Sequence, residues 1–268
     1  MFASKNVVVT GGASGIGAAM ARAFAEKGAN VCVADLNSVA VENIAQAIGG
    51  LGLECDVRKE SDISYVINAA EDKFGPIDIF VSNAGLVRPE PSHAASASND
   101  VWQLNWEVHV MAHVFASRAL LPGMIKRGQG HLVNVASAAG LLNQIGDAAY
   151  SASKHAAVSF AESLAISHSD DGIDVSVVCP QYVATPLIDM DDETEVIGAL
   201  LSAETAAKKI LQGIAAKDFL ILPHPQVSEY CKVKGNDHAS WLAGMKGLRR
   251  KFLRESESGE LKDMHKFV

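Results

Sequence analysis

The sequence predicts an α/β protein built on a doubly wound parallel sheet. Three observations carry that expectation. Short Val/Ile/Leu/Ala-rich runs alternate with longer stretches of helical periodicity. The apolar runs are continuous instead of alternating with polar residues, as in strands buried on both faces. A glycine-rich turn joins the first run to the first helical stretch.

Taken in order, Asn6–Val9 is a strand, and Gly15–Lys27 carries Ile16, Ala19, Met20, Ala23 and Phe24 at helical spacing. The strand NVCVAD and helix Ser38–Ile48 follow, then the strand GLECD and helix Glu60–Phe74. IDIFVSN is a strand before helix Asn99–Lys126, HLVNVAS a strand before helix Asp147–His168, and IDVSVVCP a strand. The pattern then loosens. Leu187–Leu201, with Asp189, Asp191, Asp192, Glu193 and Glu195, is expected to form a loop or short helix. Ala203–Ala216 reads as a helix and FLILP as a last strand. Trp241, Leu242, Met245, Leu248 and Phe252 mark a tail helix. We expect a Rossmann-like domain over residues 1–225, with a substrate loop at about 187–202, and a helical extension over 226–268.

The chain has 268 residues, 49% hydrophobic and 20% charged, a balance suited to a soluble globular protein. A net charge of −8 argues against nucleic acid as the main partner, because phosphate binding needs a basic face. The opening MFASKNVVVT lacks a signal-peptide pattern, and no window of roughly 18 uninterrupted apolar residues suggests a membrane span. The four cysteines are widely spaced with no C-x-x-C, so the expectation is a reduced, cytoplasmic protein.

The glycines of TGGASGIG, Gly11, Gly15 and Gly17, sit between first strand and first helix, where backbone can approach a pyrophosphate on the helix N-terminus. The second strand ends in Asp35, whose carboxylate can accept from ribose hydroxyls and repel a 2′-phosphate. Neither Ala13 nor Leu36 is basic, which favours NAD over NADP. The bland alternatives are a turn without a ligand and, for Asp35, a helix cap.

Tyr150 and Lys154 are one helical turn apart and project to the same side. A nearby ammonium favours the phenolate, so Lys154 is expected to lower the Tyr150 pKa toward a useful range. Ser137 lies just past the HLVNVAS strand, at the sheet edge where such folds bind ligands.

TGGASGIG, CDV, SNAG, NVASAAG, YSASK and CPQYVATP, in this order, resemble the short-chain dehydrogenase/reductase family over roughly Lys5–Leu187. The resemblance implies Tyr150 as general acid/base, Lys154 as its partner and holder of the nicotinamide ribose, and Ser137 orienting the substrate oxygen. It places Ser14, Ile16 and Leu36 beside the glycines and Asp35 in the cofactor site. Asp56 and Val57 would face the adenine, and Asn83, Ala84 and Gly85 would line the cofactor cleft. Pro180 and Val183 would border it, with Thr185 holding the carboxamide. It also implies a homodimer or homotetramer, with helices Asn99–Lys126 and Asp147–His168 at an interface.

Two positions depart from the family pattern. Gln181 stands where glycine is usual, a bulkier side chain at the cleft mouth. His109 stands where an active-site asparagine is usual, with Asn105 one turn earlier. His109 is expected to hold a water that relays protons to Lys154 and to change charge near neutral pH, so that His109→Asn would shift the pH optimum. His113, four residues on, reads as a satisfied core residue. No metal is expected, because two histidines lack further ligands.

The substrate should meet Ala138, Gln144, Tyr182 and Leu187, with Leu141, Leu142, Ile145, Ile188 and Met190 nearby. Such a pocket suits a hydrophobic or aromatic secondary alcohol, and no arginine clamp for a carboxylate is apparent. The basic run Arg249, Arg250 and Lys251 reads as a solvated helix face rather than a membrane contact. The function expected is an NAD-dependent alcohol dehydrogenase/reductase. The alternatives are a non-catalytic NAD-binding or interaction protein and, further off, an epimerase or dehydratase.

Overall fold

A computed structural model describes residues 1–90, 92–190, 199–256 and 261–268. In chain order the strands are β1 (Asn6–Thr10), β2 (Asn30–Asp35), β3 (Leu51–Glu54), β4 (Ile79–Ser82), β5 (Gly130–Val135), β6 (Ile173–Val178), β7 (Tyr182–Ala184), β8 (Leu200–Ser202) and β9 (Leu220–Ile221). Seven of them form one parallel sheet in the order β3-β2-β1-β4-β5-β6-β9. The order reverses direction between β1 and β4, and in such sheets the crevice for ligands opens there, beyond the strand C-termini. The seven strands are those that the apolar runs predict. β7 and β8, three residues each, pair separately and carry too little pattern to be read in advance.

The helices are α1 (Gly15–Glu26), α2 (Ser38–Ile48), α3 (Glu60–Phe74), α4 (Asn99–Trp106), α5 (Ala112–Arg127), α6 (Ala148–Ser167), α7 (Ala203–Ala216), α8 (Gln226–Asn236) and α9 (His238–Glu255). Side chains alternate across each strand. Val7, Val9, Val31 and Val33 pack under Phe24, Ile44 and Ile210 of α1, α2 and α7. Val8, Phe80 and Leu132 pack against Ile63, Ala116 and Ala157 of α3, α5 and α6. Both faces are therefore dry, which is why the strands read as unbroken apolar runs. Asn37, Ser98, Ser202 and Asp237 cap α2, α4, α7 and α9 through their side chains.

One helix departs from expectation. Residues 99–127 are helical throughout, but Glu107–Met111 form a π turn between α4 and α5. A π turn inserts a residue into the α register, so His109 and everything after it face differently from an unbroken helix. By length and composition alone this 29-residue stretch is long and apolar enough to cross a membrane. It instead covers the sheet, with Val108, Val110, Ala116 and Leu120 buried. Its apolar character comes from covering a core.

The tail forms α8 and α9. Lys234 of α8 donates to the carbonyls of Leu141 and Leu142 at 2.7 and 2.9 Å, and its ammonium lies 4.9 Å from the Trp241 ring centroid. The tail thus packs on the loop that follows Ser137. The acidic residues Asp191, Asp192, Glu193 and Glu195 lie outside the described residues. All four cysteines are free, and Cys32, Cys55 and Cys179 are buried.

Candidate active site

The glycine turn is shaped by close backbone approach. Gly11 has φ +61°, and Asn83 clamps it, its amide donating to the carbonyls of Thr10 and Gly11 at 2.9 and 3.0 Å. A Cβ on Gly17 would lie 2.1 Å from the Gly11 carbonyl oxygen, so only glycine lets α1 start there. Ser14 precedes the helix without capping it through its side chain. Asp35 accepts from the Ala13 and Asn37 amides at 3.1 and 3.2 Å, which ties the end of β2 to the turn.

These groups line an inner cleft of about 380 Å³ at the C-terminal edge of the sheet. Gly11, Ser14, Gly15, Ile16, Gly17 and Asp35 form one wall. Asn83 and Gly85 stand beside them, and Pro180, Val183 and Thr185 close the far side. Ser137, Tyr150 and Lys154 open onto the same space. Gln144, Tyr182 and Leu187 of the expected substrate set also line it. Six expected residues do not: Leu36 is exposed beside Asp35, Ala84 packs behind Gly11, and Ala138 is buried, donating to the Pro180 carbonyl at 2.7 Å. Asp56 and Val57 stand off at the end of β3, where both Asp56 oxygens are taken by Arg58 at 2.9 and 2.7 Å. That contact holds the Asp56 carboxyl below its ordinary range. His109 is the sixth.

Lys154 donates to the Val135 carbonyl at 2.9 Å and lies 5.7 Å from the Tyr150 ring centroid. Burial pushes the lysine down to about 7 and the Tyr150 phenol up to about 12, the latter partly offset by a hydrogen bond with Ser137. The expectation that Lys154 pulls the tyrosine downward is not met: burial dominates, Asp147 and Cys179 raise the phenol further, and Ser137 is the group that lowers it. Asp147, absent from the sequence reading of the site, caps α6 by accepting from the Tyr150 amide at 3.1 Å and also accepts from the Arg88 amide at 3.2 Å. Its burial raises it to about 6. An aspartate three residues before Tyr150 at a helix start was the available signal.

His109 Nε2 accepts from the Leu86 amide at 3.1 Å, and Nδ1 lies 2.9 Å from Ser153 Oγ, which donates to the Tyr150 carbonyl at 2.9 Å. The pattern fixes a neutral ring protonated on Nδ1. Both nitrogens are engaged, so His109 holds no relay water. Burial, together with Lys154 and His113, keeps its pKa well below the ordinary value, so it does not change charge near neutral pH. Those two expectations are corrected. His113 is corrected too: it is buried, but neither ring nitrogen has a partner. Among the described residues no group of three or more His, Cys, Asp or Glu is placed to hold a metal.

Gln181 lines the inner cleft and is fixed by α8, its side-chain oxygen accepting from Gln226 at 3.3 Å. His224 braces the same loop, accepting from the Gln181 amide and donating to the Tyr182 carbonyl, both at 3.0 Å. The cleft continues into an outer chamber of about 1250 Å³ walled by Ile145, Leu187, Trp241 and Met245. Arg88 and Arg249 also line it, so arginines do reach the substrate side, while Arg249, Arg250 and Lys251 are all exposed, as a solvated helix face requires.

The short chain dehydrogenase model matches residues 5–196. Cis-4-hydroxycyclohexanecarboxylate dehydrogenase of Sinomonas cyclohexanicum is 31% identical over 249 residues, 91% of this chain and 94% of that protein. Oxidoreductase UcpA of Escherichia coli is 31% identical over 251 residues, 91% and 92% of the two chains. A short chain dehydrogenase/reductase from Burkholderia phymatum, solved in complex with NAD, superposes with TM-score 0.80 at 26% identity, covering 88% of this chain and 94% of that one. A glycine turn at the switch point, a Tyr–Lys pair on α6 and a serine after β5 therefore occur in a chain that belongs to the short-chain dehydrogenase/reductase family of oxidoreductases.

Proposed function

We propose that this oxidoreductase is NAD-dependent and interconverts a bulky hydrophobic secondary alcohol and its ketone, with Tyr150 as general acid/base. The observation that carries the reading is the convergence of Ser137, Tyr150 and Lys154 on the cleft that also contains the glycine turn and Asp35. The residues fit a dinucleotide: the turn lets backbone amides reach a pyrophosphate, and Asp35 offers an acceptor to ribose hydroxyls. With no cation at Ala13 or Leu36, its charge also disfavours a 2′-phosphate. When bound, NAD supplies the nicotinamide ring that accepts or returns the hydride.

The chain's own groups supply the proton chemistry. Ser137 orients the substrate oxygen, and Tyr150 protonates a ketone oxygen or takes the proton from an alcohol. Burial raises Tyr150 to about 12 and so favours the phenol, the form that gives a proton to a ketone; oxidation of an alcohol requires the phenolate, formed by giving that proton up first. Lys154, close to neutrality at about 7, can exchange a proton under the same conditions.

The outer chamber exceeds the roughly 300–1000 Å³ of ordinary small-molecule sites, which supports a large substrate. Its apolar side, Ile145, Leu187, Trp241 and Met245, and a relative named for a hydroxycyclohexane carboxylate favour an alicyclic or aromatic secondary alcohol, with Arg88 and Arg249 at the chamber's polar side. We further propose a cytoplasmic homodimer or homotetramer assembled through the 99–127 and 148–167 helices. The test is NADH formation across steroids, aryl carbinols and cyclohexanols, with wild type and Tyr150→Phe. Turnover in wild type that Tyr150→Phe abolishes is the expected result. Turnover that survives the substitution, or none on any alcohol, overturns the reading.

A further inference from the structure

Residues 85–90, the segment after β4, form one continuous stretch of the outer chamber's wall. Alternate amides pin it. Leu86 donates to His109 Nε2 at 3.1 Å, Arg88 to Asp147 Oδ2 at 3.2 Å, and Glu90 to the Gly146 carbonyl at 3.0 Å. The Glu90 carboxylate returns the contact, accepting from the Ala148 amide at 2.7 Å. The wall is thus fastened to the start of α6, the helix that carries Tyr150.

Asp147 joins the two sides of this seam with a single side chain. Its other oxygen, Oδ1, accepts from the Tyr150 amide at 3.1 Å, and the residue is 1% exposed. Its carbonyl accepts from Ser151 Oγ at 3.0 Å, and that hydroxyl takes the Gln144 amide at 2.9 Å, so a second chamber-lining loop hangs from the same turn. An ionised carboxylate offers acceptors at both oxygens, which suits two amide donors. A protonated one sets its own O–H against one of those N–H groups, so one contact must break. Arg88 sends its guanidinium to the Val87 carbonyl at 3.1 Å, not to the carboxylate.

We propose that Asp147 is a positioning residue for the substrate: by holding the Arg88 amide while it caps α6, its carboxylate sets the 85–90 wall of the chamber relative to Tyr150. The role rests on the oxidoreductase reading above, and it belongs to the ionised form alone. Burial, with Glu90 adding to it, raises Asp147 to about 6. The wall is therefore fixed at neutral pH and released in mild acid. The charged and titratable groups around the carboxylate are Arg88 and Glu90 on the wall and Tyr150 on α6, with Lys154 and His109 beyond the tyrosine.

Asp147→Asn is the discriminating substitution. Asparagine caps a helix as well as aspartate does, but its –NH2 cannot accept from Arg88, so it mimics the protonated acid at every pH. The experiment measures kcat and KM from about pH 8 to about pH 5, on whichever steroid, aryl carbinol or cyclohexanol the wild type oxidises, together with amide hydrogen exchange of Arg88 and Tyr150. In wild type, KM should rise about tenfold as pH falls through about 6. Asp147→Asn should show that raised KM already at about pH 8, flat with pH, and kcat within about twofold of wild type. Lys154 titrates in both proteins, so the ratio of the two profiles isolates Asp147. The Arg88 amide should exchange about tenfold faster in the variant, with the Tyr150 amide still protected. A folded Asp147→Asn with wild-type KM or wild-type Arg88 exchange overturns the proposal. So does a loss shared equally by kcat and KM at every pH, the mark of a merely structural cap. If the variant does not fold, a wild-type KM flat across the same pH range overturns it. If wild type oxidises no alcohol, the oxidoreductase reading falls, and Arg88 exchange in the two proteins alone judges the seam.

Discussion

His109 and Ser153 are joined by a 2.9 Å hydrogen bond that ties the π turn to α6 one turn beyond Tyr150. Ser153 relays the tie to the Tyr150 carbonyl, and the other ring nitrogen takes the Leu86 amide. One neutral ring thus spans the segment after β4 and the helix carrying the proposed acid/base. Asparagine has the right polarity but a shorter reach, and cannot make both contacts. We predict that His109→Asn lowers kcat about tenfold to a hundredfold through misplacement of Tyr150, with the pH optimum unmoved. Ser153→Ala should lower it less, and the double variant should lose less than the two single effects combined. A shifted pH optimum in His109→Asn would restore a charge role for the ring.

The strand series, the glycine turn and the Tyr–Lys spacing were legible because each is a local pattern. Val7 and Val8 report on opposite faces of β1, and both had to be apolar. The roles of His109 and His113 were not legible. Both are histidines on an apolar stretch, and only the π turn, which one chain's periodicity does not announce, decides which ring meets partners. The raised Tyr150 pKa was hidden for a related reason: spacing shows the attraction to Lys154, whereas desolvation depends on the whole fold. That Arg249, exposed as expected, also borders the outer chamber was hidden because it comes there only through the packing of α8 and α9.

The turn after β1 gives a backbone prediction. A methyl at Gly17 would meet the Gly11 carbonyl oxygen at 2.1 Å, backbone against backbone, so neither side can yield without moving α1. Gly17→Ala should cost about 1–3 kcal/mol or more and weaken NAD binding. Gly244, inside α9 with nothing within 4 Å of an added Cβ, is the contrast. Gly244→Ala should stabilise by about 0.5–1 kcal/mol. Urea titrations of both variants, with calorimetric NAD binding for the first, check the pair.

Cofactor choice should follow Asp35. The carboxylate also holds the Ala13 and Asn37 amides, so removing its charge loosens the turn as well as the ribose contact. Asp35→Asn should lower kcat/KM for NAD by about tenfold, the scale of one charge-assisted hydrogen bond. Adding Leu36→Arg, at an exposed position beside it, should move the NADP/NAD ratio of kcat/KM by about a hundredfold toward NADP. An unchanged ratio in the double variant would mean that Asp35 does not face the 2′ position.

Stability should fall in mild acid because four buried histidines are held below their ordinary pKa. Burial lowers His113 to about 3 and His131 to about 4, keeps His109 well below its ordinary value, and lowers His224 as well. Below the ordinary histidine pKa the unfolded chain binds protons that the native chain does not, so stability present above about pH 6.5 is lost as pH falls. Asp147 works in the opposite sense. Raised to about 6, it keeps its proton in the native state down through the range where the unfolded carboxyl has lost it, which offsets one histidine. The histidines outnumber it, so unfolding free energy should fall as pH drops from about 6 to 4. Urea denaturation at pH about 7, 6 and 5 measures that slope. His113→Leu removes one titrating site from the unfolded chain and should lower the slope by about 1.4 kcal/mol per pH unit. A slope unchanged in that variant would show that His113 is protonated in the native protein and finds its partner on becoming charged.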